Sequence, residues 1–275
     1  MVTKTTHGRT DELNSSLTNK FIELARELPE LANKFESADF LKKDPSQFMH
    51  RYSRVSDIEA VSFIAANLAF GRREQILSHV EKILEAANPS PADWILSKKY
   101  NDFFPENKKS FYRMYTNSDM RLFFDGLCTI LEEGGTLGDF FRKKWENVKK
   151  SADQANQKIF LHQVISDSFS KDCALLPHSK DSAAKKVNMM LRWLVRDNSP
   201  VDLGLWTWFS KKELLMPLDT HVMRQSNELG LINSKTANLK TAIELTKKVA
   251  EIFPDDPVKA DYALFGLGIA SQEAR

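Results

Sequence analysis

The chain has 275 residues, of which 42% are hydrophobic and 28% charged, and its formal net charge is +2. That composition excludes a disordered or collagen-like chain, and the near-neutral charge neither demands nor excludes nucleic acid. The only two cysteines, Cys128 and Cys173, rule out a disulfide framework and a four-cysteine iron–sulfur cluster, and suit a reducing cytoplasm.

Residues 1–16 are polar, lack the apolar segment of a signal peptide, and are expected to fray. Leu17 to Phe35 reads as an amphipathic helix interrupted at Pro29, so residues 1–37 are set apart as a helical extension of a domain over 38–275. Ser56-Asp57-Ile58-Glu59 has the form of a capping box opening an apolar helix that Gly71 stops. Arg73 to Ala87 carries Ile76, Val80, Ile83 and Leu84 at helical spacing, and Ser90-Pro91 starts a short helix with Pro in its first turn. Ser118 is the expected cap of a helix over 119–133 ended by Gly134-Gly135. Thr136 begins another that runs past Trp145, and the helix after it ends near Lys171-Asp172. Ser210-Lys211-Lys212-Glu213 is a further capping box, cut short by Pro217. Helices over 238–252 and 256–270 complete the chain. No segment alternates as a strand does and no run of about 18 apolar residues could span a membrane, so an all-α fold with no membrane partner is expected.

Two segments carry chemistry. Pro217 halts what precedes it, and Asp219 then opens a helix running to Gly230, where free backbone N–H groups and the helix dipole favour a carboxylate. Upstream, Val187, Met190, Leu191 and Leu194 give a second helix its buried face, with Asp181 or Ser182 as cap and Lys185 in the first turn. The six histidines are scattered and no His-Glu-x-x-His pattern appears, so neither a metal nor a cofactor is expected.

Leu218-Asp219-Thr220-His221-Val222-Met223-Arg224 resembles the Val-Asp-Thr-His-x-x-Arg segment of endonuclease III and its relatives, the helix-hairpin-helix DNA glycosylases. Their lysine helix reads Gly-x-Lys-Thr-Ala-Asn-x-x-Leu; here Asn188 stands three residues after Lys185 and Leu191 three after Asn188. The hairpin before that helix departs from the pattern: Leu175-Leu176-Pro177-His178-Ser179-Lys180-Asp181-Ser182 keeps Leu-Pro and has no glycine to let a phosphate approach the backbone. Asp219 lies 34 positions after Lys185, a longer stretch than in endonuclease III and one that is similar to the archaeal 8-oxoguanine glycosylases. The chain also resembles, over roughly 38–270, an uncharacterised bacterial family distantly related to those archaeal enzymes, through phrases such as Ala65-Ala66-Asn67-Leu68-Ala69-Phe70-Gly71-Arg72 and Leu191-Arg192-Trp193-Leu194-Val195-Arg196.

The resemblance implies two helical lobes with a cleft between them. It implies a monomeric base-excision enzyme acting on double-stranded DNA, with an oxidised purine as the expected target. Lys185 takes the place of the nucleophile and Asp219 that of the catalytic carboxylate, with Asn188, His221 and Arg224 in support. An extruded base needs apolar faces, for which Trp193, Trp206 and Trp208 are the candidates. Arg72 and Gln75 fall where glycosylases fill the gap left by the base, and Lys180, Ser182, Lys186, Arg192 and Arg196, with Arg51 and Arg54, are candidates for phosphate contact. Two other readings compete: a non-catalytic nucleic-acid-binding module on the same fold, favoured by the missing glycines, and a helical protein-interaction domain, allowed by the near-neutral charge.

Overall fold

A computed structural model describes the backbone over residues 6–273 and side chains over 21–271. Thirteen helices account for most of these residues: α1 (Thr6–Phe35), α2 (Ala38–Leu41), α3 (Val55–Leu68), α4 (Arg73–Ala86), α5 (Pro91–Leu96), α6 (Tyr100–Phe103), α7 (Asn117–Gly134), α8 (Leu137–Gln154), α9 (Leu161–Ser166), α10 (Lys185–Val195), α11 (Thr220–Glu228), α12 (Leu239–Ala250) and α13 (Ala260–Glu273). A seven-residue 3₁₀ helix occupies Pro45–Arg51, and single 3₁₀ turns occupy Lys211–Glu213 and Pro257–Lys259. The fold is all-α apart from one antiparallel ribbon, β1 (Ser110–Tyr112) with β2 (Tyr115–Thr116). Strands of three and two residues are too short to show an alternating pattern, which is why the sequence reads as strand-free.

Helix α3 is the hub. Every residue from Ser56 to Leu68 is buried, as expected of a helix apolar all round, and its alanines let α4, α5, α8 and α10 pack against it. The capping box expected at its start does not form: the helix already begins at Val55, so Ser56 lies inside it, and tertiary partners take Asp57 and Glu59. Asp57 accepts hydrogen bonds from the Ser90 hydroxyl (2.7 Å) and Ala92 N–H (2.9 Å), and Glu59 accepts from Trp206 Nε1 at 2.8 Å. A second group of contacts joins α13 to α1 and to α11. Helix α1 runs through Pro29 without a break, and residues 6–16, expected to fray, belong to it. Leu24, Leu28 and Ala32 of α1 are buried, so the segment set apart as an extension packs into the core along α13.

Most local stop and start signals act where the chain places them. Ser90, Thr136, Asp219 and Asn238 cap α5, α8, α11 and α12 through their side chains. For α7 the cap is Thr116, two residues before Ser118, in a reciprocal box with Asp119. Ser210 caps only the 3₁₀ turn, and α9 ends at Ser166, well short of Lys171. Among the described residues no helix is long and apolar enough to cross a membrane.

Candidate functional site

A cleft of about 950 Å³ opens where the end of α3, the first turns of α10 and α11, and α13 converge. Both Lys185 and Asp219 line it. They come from segments 34 residues apart and from different helices, and this cleft is where the fold brings them together.

Helix α10 begins at Lys185 because of the three residues before it. Ala184 adopts a left-handed backbone (φ 45°, ψ 44°), its N–H donates to Ser182 Oγ at 3.1 Å, and Asn188 Nδ2 donates back to Ala183 O at 2.8 Å. Neither Asp181 nor Ser182 is the helix cap. Ser182 instead bridges to Asn238, and Asp181 O accepts from Leu239 N–H at 2.8 Å, pinning the preceding loop to the start of α12. The left-handed turn that glycine makes easily is thus made here by an alanine.

The two lysines of the first turn point at the end of α3. Lys185 Nζ donates to Ala69 O at 3.2 Å, its one hydrogen bond among the described residues. Lys186 Nζ donates to Leu175 O (2.7 Å), the Tyr115 hydroxyl (2.7 Å) and Asn67 O (3.4 Å). Carbonyls at a helix C-terminus carry partial negative charge and suit cations. Burial of the ammonium, and then the Lys185 charge, draws the Lys186 pKa down to about 8. Bound to three oxygens, Lys186 has no spare donor for a phosphate.

Across the cleft, Asp219 caps α11 through one oxygen, Oδ1, which accepts Val222 N–H at 2.8 Å. His221 and Arg224 face α13. The His221 ring stands edge-on to Phe265 at 5.5 Å, and Arg224 Nη2 donates to Gly268 O at 3.0 Å. A Cβ at Gly268 would lie 2.6 Å from the His221 Cβ, so glycine sets how closely α11 and α13 approach. These two side chains join α11 to α13, and His221 also lines the cleft.

A carboxylate that the motifs did not mark also lines the cleft. Asp261 of α13 is 6% exposed and ion-paired with Arg192 Nη1. Burial pushes its pKa up to about 6, against the pull of Arg192 and with a further push from Asp219. No spacing in the sequence ties Asp261 to Asp219; the packing of α11 on α13 brings both to the cleft.

The tryptophans lie elsewhere. Trp193 and Trp206 are fully buried in the core, and Trp208, half-buried, stacks on Trp206 at 5.3 Å; none of them lines the cleft. Its apolar faces come from Phe40, Phe70, Phe265, Met189 and Met223. Arg192 and Arg196 are also inside, each less than 5% exposed. Arg192 pairs with Asp202 and Asp261, and Arg196 with Glu36, Asp202 and Asp256, so neither is free for phosphate. Arg51 and Arg54 are exposed but engaged with Glu81 and Asp93. Arg72 and Gln75 are exposed at the start of α4, where Arg73 borders the cleft, and Lys180 is exposed on the loop before α10. Among the described residues no histidine, cysteine, aspartate or glutamate cluster could hold a metal ion.

The fold and cleft define a mainly helical protein with a lysine and a carboxylate lining one apolar-walled hollow. The chain belongs to the family described as protein of unknown function (DUF2400), whose model matches residues 44–270. No curated protein and no solved structure matches it.

Proposed function

We propose that this protein is a DNA base-excision enzyme, a lysine-dependent glycosylase with strand-cleaving activity, with an oxidised purine as its expected target. The observation that carries the reading is the meeting of Lys185 and Asp219 in one cleft. On this reading α3 to α10 form one lobe and α1 with α11 to α13 the other, and double-stranded DNA lies across the mouth between them. The protein works as a cytoplasmic monomer without a cofactor.

The Lys185 nitrogen attacks the anomeric carbon as the glycosidic bond breaks, and the base leaves with the bonding electrons and takes up a proton. Asp219 removes the proton that the lysine nitrogen sheds and offsets positive charge on the sugar. Its second carboxylate oxygen is available for this because capping uses only Oδ1. Ring opening leaves an iminium between Lys185 and the sugar. Loss of a proton from the adjacent carbon then breaks the bond to the 3′ oxygen. Phe40, Phe265, Met189 and Met223 offer the apolar faces that an extruded base requires.

Borohydride reduction on duplexes carrying 8-oxoguanine, uracil or an abasic site tests the reading. A covalent adduct is expected in the wild type and none with Lys185→Gln. One observation favours the binding-module alternative: the loop before α10 has no glycine, and its left-handed position is Ala184. Salt-dependent duplex binding with no adduct on any lesion would select that alternative.

A further inference from the structure

The loop before α10 has no glycine, and Lys186 behind it is bound to three oxygens, so this end of the cleft has few donors left for a DNA backbone. Unpaired cations collect instead around the ribbon of β1 and β2. Segments 69–73 and 108–115 together hold five cations, Arg72, Arg73, Lys108, Lys109 and Arg113, and no acidic residue; Glu74 and Glu106 flank them in sequence. Among the described residues none of the five is ion-paired with a carboxylate.

The two segments are fastened to each other. Tyr112 and Tyr115 are partners in the ribbon, and both rings meet Phe70 edge-on at 5.1 Å. The Tyr112 hydroxyl donates to Phe70 O, and the Tyr115 hydroxyl accepts from Lys186 Nζ at 2.7 Å. Phe70, Gly71 and Arg73 line the cleft, so these bonds fix the ribbon to its rim. Between the tyrosines only Arg113 and Met114 remain to make the turn. Arg113 has φ 53°, a left-handed position that short hairpins usually give to glycine, and Ser110 Oγ donates to its carbonyl at 2.7 Å. Its guanidinium lies over the Phe70 ring at 5.6 Å, and a Cβ at Gly71 would come within 2.6 Å of Arg113 Nη1. Glycine at 71 thus lets this cation rest against the rim. Met114 beside it is 69% exposed, the most of any large hydrophobic residue described. A lone exposed methionine means little. One held at the tip of a braced loop, among unpaired cations, matches a polyanion that also offers stacked apolar rings.

We propose that the β1–β2 ribbon is a duplex-binding lip of the cleft: Lys108, Lys109, Arg113 and Arg72 take DNA phosphates, while Met114 enters the minor groove and presses between base pairs. Apolar side chains inserted at a base step, with cations holding the backbone on either side, are a recurrent way of opening a stack. An acidic peptide would satisfy the cations and leave Met114 without a partner. The inference rests on the reading of the cleft as facing duplex DNA, and it does not require catalysis.

Binding is read by fluorescence anisotropy on labelled duplexes of about 20 base pairs, intact or with one abasic site, and on the matching single strand, from about 50 to about 200 mM salt. Lys108→Gln with Lys109→Gln should weaken duplex binding at least about tenfold at low salt. It should also lower the slope of log K against log salt by about two, one for each lost phosphate contact. Lys143→Gln with Lys150→Gln removes the same charge from exposed positions on α8 and should leave the slope unchanged. Met114→Ser should keep the slope, weaken binding to the abasic duplex about tenfold, and abolish the brightening of a 2-aminopurine placed beside the abasic site, which reports an opened stack. All five substituted side chains are exposed, and circular dichroism shows whether the variants are folded. A ribbon pair that binds as well as the α8 pair overturns the inference while wild-type duplex binding stands. So does a Met114→Ser protein that brightens the probe as the wild type does, or a single strand bound as tightly as the duplex. No duplex binding by the wild type at low salt overturns it together with the DNA reading. Ribbon-dependent binding without a borohydride adduct keeps the lip and removes only the catalytic assignment.

Discussion

The two ends of α10 carry the same number of cations and treat them in opposite ways. At the C-terminal end Arg192 and Arg196 are buried among Glu36, Asp202, Asp256 and Asp261, every one of which pairs with one or both of them. Burial works against the Arg196 charge, but the hydrogen bond to Asp256 and the charge of Asp202 hold it above the ordinary arginine value. At the first turn Lys185 and Lys186 meet only carbonyl and hydroxyl oxygens. Arginine with carboxylates makes a charge permanent; lysine with neutral oxygens makes it removable. One helix thus fixes the core at one end and, at the other, holds in Lys186 an ammonium whose pKa burial draws down to about 8.

The largest expected effect breaks the permanent end. Arg196→Ala would leave Asp202, fully buried, with Arg192 as its one remaining cation, and Glu36 with only the longer contact to Lys259. A loss of about 3–5 kcal/mol in folding free energy is expected, read by urea denaturation. An unchanged midpoint would mean that the network is not what holds α10 in place.

The next experiment separates capping from chemistry at Asp219. Asparagine caps a helix about as well as aspartate, so Asp219→Asn should cost a few tenths of a kcal/mol at most. Borohydride trapping should nonetheless fall by about a hundredfold, the scale of a lost acid–base group. Equal trapping by the variant would reduce Asp219 to a structural cap.

The smallest effect sharpens the contrast, because the carboxylate end is not uniform. Burial pushes the Asp261 carboxyl up to about 6 in the folded protein, above the unfolded value of about 3.9. The folded state therefore binds this proton more tightly than the unfolded chain does. Its contribution to stability is fully present below about pH 4 and is lost as pH rises through about 6. Comparing wild type with Asp261→Asn, the wild type should gain relative stability on acidification from about pH 7 to about pH 4. A difference that does not vary with pH would show that Arg192 keeps Asp261 ionised throughout.

Much of this architecture is written locally. Caps at Ser90, Thr136, Asp219 and Asn238 are set by side chains reaching only three residues along the chain, so reading the sequence in order finds them. Lys185 and Asp219 are marked by motif spacing, and the fold sets them in one cleft. What stays hidden depends on distant partners. Glu59 looks like half of a capping box until Trp206, 147 positions away, takes its oxygen. Trp193 and Trp206 resemble base-stacking residues until packing buries them. Asp261 carries no local mark at all, since its site exists only where α11 lies on α13. Lys186 reads as a candidate for phosphate contact because the oxygens that enclose it come from three other segments.

The contact of Gly268 with His221 reaches beyond this one molecule. A single methyl group at 268 would press on the His221 side chain, and the edge-on packing of that ring on Phe265 occupies the space it would need. The two positions should therefore drift together in descent. Lineages that trade His221 for a smaller side chain are free to accept alanine or serine at 268, and lineages that retain the histidine should retain the glycine with it.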